Sequence, residues 1–198
     1  MRNGRNGRES NNGHAEHNGH ERHLLRGILA GAGAGLAASW VMNTFVAGPG
    51  QKLQQSLQTR EERANERVQQ MQQEQSGRPK QDATMKAADA LVSTATGGRH
   101  LSMEEQEKAG PVVHYGFGTL MGGLYGGLAE MAPATRRGFG MAFGGALFAG
   151  ADLVAVPRLH LSAPLSDTQP KSLANPLAAH LVYGATTELL RRVLRAVL

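Results

Sequence analysis

The chain has 198 residues, enough for one domain, and no shift in composition requires a second folded core. It has no cysteine, which excludes disulfides, and a net charge of +5 with a pI near 10, which raises nucleic acid as a partner. The arginines, however, cluster beside apolar blocks without interleaved aromatics, so they read as membrane flanks and not as a nucleic-acid surface.

Mean hydropathy is −0.34, but that average conceals polar stretches at 1–23 and 51–110 and four separate apolar blocks. Residues 1–23 carry Asn, Gly, Arg and His with no large apolar side chain to nucleate a core, and are expected to be a disordered cytoplasmic tail. His14, His17, His20 and His23 recur every third residue, as metal-binding tracts can. The surrounding glycines and absence of fixed geometry argue against a closed site, and no metal is expected.

The first span is predicted at 24–48. Its Gly27, Gly31 and Gly35 fall four apart, Trp40 and Phe45 add bulk, and Gly48-Pro49-Gly50 is expected to stop the helix. Leu36-Ala37-Ala38-Ser39 offers a weak processing site, but the apolar run continues past it, which favours an uncleaved span. An extramembrane helical segment follows at 49–110. Within it, 51–75 lacks Gly and Pro and lines Leu53, Leu57, Ala64, Val68 and Met71 along one thin face. That stripe suits a bilayer surface, a short coiled coil or a protein partner better than a core. Asp82 can cap a second helix reaching about Thr96, closed by Gly97-Gly98. Ser102-Met103-Glu104-Glu105 is a capping box opening a brief helix up to Pro111.

The second and third spans, 111–132 and 138–157, form a hairpin about which the chain is organised. At 1.5 Å per residue each reaches across a hydrocarbon core of roughly 30 Å. Gly118, Gly122 and Gly126 repeat every fourth position, and Gly140 and Gly144 answer in the partner helix. Such spacing lets backbones approach in lipid and suits both a tight bundle and a homo-oligomer. In water each glycine would cost a helix about 1 kcal/mol relative to alanine. Residues 158–175 are expected to be an external loop. The last span, 176–198, has few residues before Arg191-Arg192 and crosses only if the arginines snorkel. The expected fold is therefore all-α, an integral membrane bundle of four Gly/Ala-rich helices.

The tail, the 133–137 turn with Arg136 and Arg137, and the carboxy terminus with Arg191, Arg192 and Arg195 share one side if all four blocks cross. The positive-inside rule then puts both termini in the cytoplasm. The two halves rhyme: Pro111…His114-Tyr-Gly-Phe117-Gly118 matches Pro176…His180-Leu-Val-Tyr183-Gly184, which suggests a parallel two-plus-two repeat. By depth, Asp152, His114, His180 and Asn43 can meet in the outer half of the bundle. Intramembrane ionisable groups are costly and need partners, so this polar cluster is either an ion or proton site or a packing device. At the inner boundary Glu130 and Glu188 approach Arg136, Arg137, Arg191 and Arg192, which predicts an ion-pair ring. No hydrolase triad, phosphate loop or metal motif is present, so neither an enzyme nor a cofactor is expected.

The run His114…Tyr125-Gly126-Gly-Leu-Ala129-Glu130-Met-Ala-Pro133, then Pro157, then His180-Leu-Val-Tyr183…Glu188-Leu-Leu-Arg191-Arg192-Val-Leu194-Arg195 resembles the YagU-like family. The resemblance covers about half of the chain. It implies a small multi-span bacterial inner-membrane protein and carries no catalytic residues with it; the tail, the Gln-rich helix and Asp152 lie outside it. Three function classes remain at this point. One is a non-enzymatic membrane protein tied to envelope or pH stress. The others are a small transporter or channel with a polar site between helices, and a scaffold binding a partner through 51–75.

Overall fold

The computed structural model describes residues 9–77, 80–162, 166 and 168–198, with side chains from Glu21 onward. All regular structure among them is helical: α1 (Glu9–Phe45), α2 (Gln51–Leu57), α3 (Arg60–Gln75), α4 (Ala83–Thr96), α5 (Met103–Met131), α6 (Met141–Gly150), α7 (Val156–Arg158) and α8 (Ala174–Val197). Helix α1 is central. It packs against α5 on one side and α8 on another, while α6 lies on α8 and α4 on the start of α5.

The α1–α5 seam is antiparallel and built on glycine. A Cβ added to Gly31 would strike the Gly122 carbonyl and sit 2.8 Å from the Gly126 Cα; one on Gly35 would strike the Gly118 carbonyl and sit 2.8 Å from the Gly122 Cα. Gly27 lies against Gly126 and the Glu130 side chain. The α6–α8 seam repeats the device, with Gly140 on Gly184 and Gly144 on the His180 carbonyl. Each half of the chain thus contributes one antiparallel glycine-packed pair. Gly118, Gly122 and Gly126 are consumed in the first seam, whereas Gly33, Gly116 and Gly150 remain on the exposed surface.

Helix ends follow local chemistry. Asp82 accepts from the Met85 N–H at 2.8 Å to cap α4, and Gly97 leaves it in the left-handed region at φ 73°. Ser102 and Glu105 form the expected capping box. Five boundaries differ from the sequence reading. The helix starts at Glu9, inside the expected disordered tail, because extension onto an existing helix needs no new nucleus. Gly48-Pro49-Gly50 does not stop it: a π turn over Val46–Gly50 absorbs the missing proline N–H and carries the chain into α2. The stretch 51–75 breaks at Gln58, where the backbone is extended and Thr59 pairs with Glu62 in a capping box of its own. The helix from Met103 runs through Pro111 without a break, braced where Met85 of α4 crosses Gly110. The third span begins at Met141, because Gly138, Phe139 and Gly140 all have positive φ and form the turn.

Burial is inverted relative to a water-soluble core. Ala30, Ala34, Ala38, Ala129 and Ala179 are fully buried, together with Tyr125, Thr187 and Glu188. The large apolar side chains point outward: Leu29, Leu36 and Trp40 from α1, Leu120, Leu124 and Leu128 from α5, and Leu189 and Val193 from α8. Two stretches, Glu21–Leu57 and Met141–Arg158, are long and apolar enough to cross a membrane. Polar residues dilute the other two long helices, in the first turns of α5 and the last turns of α8.

Candidate functional site

At the end of the bundle where α1 begins, charges meet in a buried network. The Glu188 side chain is fully enclosed, with no exposed surface. Its Oε2 accepts from the Tyr125 hydroxyl at 3.0 Å and from Arg191 Nε at 2.8 Å, and its Oε1 accepts from Arg192 Nε at 2.7 Å. Arg191 is 3% exposed and spans two carboxylates, reaching Glu130 Oε1 with Nη1 at 3.4 Å. Arg195 donates to the same Glu130 oxygen at 3.2 Å and to His23 Nδ1 at 2.9 Å, which ties α8 to α1. Arg136 approaches Glu130 at 4.0 Å and donates from Nε to the Ala129 carbonyl at 2.9 Å, which closes the α5 end. Arg192 also stacks over Phe139, 4.9 Å from the ring centre.

The sequence places these groups together for simple reasons. Glu188, Arg191 and Arg192 are three and four apart on α8, so one helix turn pairs them. Glu130 fits because Gly27 has no Cβ; an added one would strike its Cγ. The expected ring is therefore present for Glu130, Glu188, Arg136, Arg191 and Arg192. Arg137 does not join: its backbone heads into the positive-φ turn, its side chain is exposed, and no carboxylate among the described residues pairs with it. Tyr125, Arg195 and His23 are members that the sequence reading missed. For Tyr125 and Arg195 the signal was their spacing, five residues before Glu130 and four after Arg191, but spacing alone does not identify a partner on another helix.

The four polar residues expected to meet divide into two groups. Asp152 Oδ2 lies 3.7 Å from His180 Nδ1, and that nitrogen donates to the Pro176 carbonyl at 2.9 Å. His180 is mostly buried and its ring tilts against Phe148 at 5.6 Å. Asp152 projects from a π turn over Ala151–Ala155 that continues α6. His114 and Asn43 do not join this pair. Asn43 donates to the Tyr115 hydroxyl at 3.3 Å. His114 stands edge-on to Tyr115 and electrostatically close to Asp82, on the side of α5 that α4 covers. Its Nε2 is buried without a hydrogen-bond partner. Equal depth in the bundle was legible, but the direction each helix face takes was not. The side chains of His14, His17 and His20 lie outside the described residues.

Beyond the bundle, α4 docks on α5 through Met85, Ala88 and the buried Gln106, which accepts from Gln81 Nε2 at 2.7 Å. Helix α3 is exposed along its length, and among the described residues Lys171 Nζ on Glu62 Oε1 at 3.1 Å links it to the bundle. The Thr59 backbone N–H, reinforced by Lys171, holds the Glu62 carboxyl below its ordinary value. Burial pushes Asp82 up, but the Met85 N–H and Thr84 hydroxyl outweigh it and leave that carboxyl low.

Comparison with family models, characterised proteins and solved structures gives no match to this chain.

Proposed function

We propose that this chain is a non-enzymatic, four-span protein of the bacterial inner membrane that holds the helical layer α2–α4 at the outer face. The observation that carries the reading is the inverted burial: glycine, alanine and ion pairs inside, leucine and tryptophan outside. Water would penalise that arrangement on every helix, whereas in lipid small residues at helix contacts are the expected packing. The two most apolar helices, α1 and the α6–α7 stretch, would cross; α5 and α8 would cross with them because glycine seams bind each to one of these. The bacterial setting rests on the YagU-like residues between His114 and Arg195. The arginine distribution supports cytoplasmic termini.

Because the chain has no cysteine, single-cysteine variants report topology without background. In spheroplasts, Gln69→Cys and Ser172→Cys are expected to react with an impermeant maleimide, while Thr135→Cys and Leu198→Cys react only after permeabilisation. Alkaline carbonate should leave the protein in the membrane pellet. Recovery of folded chain in the wash overturns the reading, and reaction of Thr135→Cys from outside overturns the four-span arrangement.

One observation favours a small transporter or channel as the second class: Asp152 and His180 sit face to face where a π turn interrupts α6. Proton or cation flux in proteoliposomes that Asp152→Asn abolishes would establish it; flux equal to empty vesicles would remove it.

A further inference from the structure

Helix α3 has two unlike long faces. At 100° per residue, Arg60, Arg63 and Arg67 fall within about 60° of the wheel, and Ala64, Val68 and Met71 continue directly beside them. Glu62 lies about 130° from the centre of the arginine arc and Glu66 about 90° from it, while Glu61 flanks Val68 and Glu74 falls in line with the arginines at the far end of the helix. Glu62 pairs with Lys171, and Glu66 accepts from Gln58 Nε2 at 2.5 Å. Among the described residues no carboxylate pairs with Arg60, Arg63 or Arg67, and Arg63 Nε donates to the Thr59 carbonyl at 3.4 Å. A shallow cavity of about 290 Å³ opens among these arginines and Ala64. Val68 and Met71 are 46% and 53% exposed.

The depth of α3 follows from the tie of Glu62 to Lys171. Lys171 precedes Arg191 by 20 residues. A 3-10 turn over Pro170–Leu173 leads into α8 at Ala174, and together they rise about 30 Å, the thickness of a hydrocarbon core. With Arg191 at the inner boundary, Lys171 stands at the outer headgroup level and pins the first turn of α3 there. The tie turns Glu62 toward the bundle, so Arg60, Ala64 and Met71, on the opposite side of the wheel, face away from it, over the surrounding lipid.

We infer that α3 is an interfacial helix that binds anionic phospholipid in the outer leaflet, with Arg60, Arg63 and Arg67 on headgroup phosphates and Val68 and Met71 in the upper acyl region. Guanidinium forks match phosphate oxygens, and a helix with an apolar stripe beside a basic edge is the form that lies in a membrane surface. The inference rests on the four-span reading above.

The test uses full-length protein in nanodiscs of phosphatidylcholine, alone or with phosphatidylglycerol, carrying an environment-sensitive label at Val68→Cys. A control label sits at Leu120→Cys on the bundle perimeter. Expected is quenching of the Val68 label by spin-labelled lipid at least threefold stronger with phosphatidylglycerol. That gain should be lost when Arg60, Arg63 and Arg67 are all changed to Gln, while the Leu120 label is quenched in every disc. A Val68 label that stays aqueous beside a quenched Leu120 label overturns the inference alone. Equal quenching in both lipids, or Val68→Cys disulfide between copies in place of quenching, also overturns it. An unquenched Leu120 label instead brings down the membrane reading itself.

Discussion

Single side chains carry two kinds of cost in this molecule, and they differ in sign. Glu188 is enclosed with Arg191 against it. Glu188→Gln is expected to leave that guanidinium buried and short of countercharge, at about 3–5 kcal/mol. Adding Arg191→Met should recover most of the loss, because the buried charge goes too; thermal unfolding in detergent checks both. The glycines divide in the same way. Gly31→Ala puts a methyl into the Gly122 carbonyl and should cost about 1–3 kcal/mol by forcing α1 from α5. Gly116→Ala, on the same helix as Gly122 but with nothing within 4 Å, should stabilise by up to about 1 kcal/mol. Both glycines look alike in sequence except for spacing: Gly116 is outside the four-residue series of Gly118, Gly122 and Gly126. That series was legible because close packing imposes a period. Of the partners of Glu130, Arg136 and Arg191 were legible and Arg195 was not, since it reaches Glu130 only through the way α8 packs.

Elements show where local rules were enough and where packing overrode them. The caps at Asp82 and Ser102 were readable, being contained in four consecutive residues. Thr59 and Glu62 carry the same signature, yet the uniformly helical composition of 51–75 masked it. Pro49 and Pro111 read as stops, but a π turn and a docked neighbour let helices pass them. Helices α3 and α4 and the start of α5 also share a dependence on carboxylates. Glu62 is held low by the Thr59 N–H and Lys171, Glu105 by the Ser102 N–H, and Asp89 by His100 and the Leu101 N–H. Asp82 ends low despite burial. A carboxyl whose folded value is depressed contributes stability above its unfolded value, and that contribution vanishes as pH falls through the folded value. Below about pH 4, therefore, α3, α4 and the start of α5 should lose amide protection. The Gly31–Gly122 seam has no titratable member and should keep its protection. Hydrogen exchange of the reconstituted protein at pH 7 and pH 3 measures both regions in one experiment.

At the scale of the whole chain, the question is which solvent the perimeter was built for, and one substitution answers it by sign. Leu120 lies near the middle of α5, 65% exposed, on the face opposite Gly118 and Gly122. If water bathed that face, Leu120→Lys would remove exposed apolar surface, raise solubility and leave folding untouched, as substitutions at open surface positions do. If lipid bathes it, the same lysine stands near the bilayer midplane, where insertion measurements put the cost at about 3 kcal/mol. It cannot escape easily, because a midplane side chain is too far from either headgroup layer to snorkel. The inner face of the helix offers no refuge either, since the glycine seam leaves no room for a side chain there. Membrane-integrated yield should therefore fall severalfold for Leu120→Lys. Val112→Lys, about two turns nearer the outer boundary and 71% exposed, should be tolerated with little loss. A depth-dependent penalty of this kind has no counterpart in water. Equal yields of both variants, in soluble form, would assign the leucine perimeter to an aqueous protein and remove the basis for every membrane depth inferred for this chain.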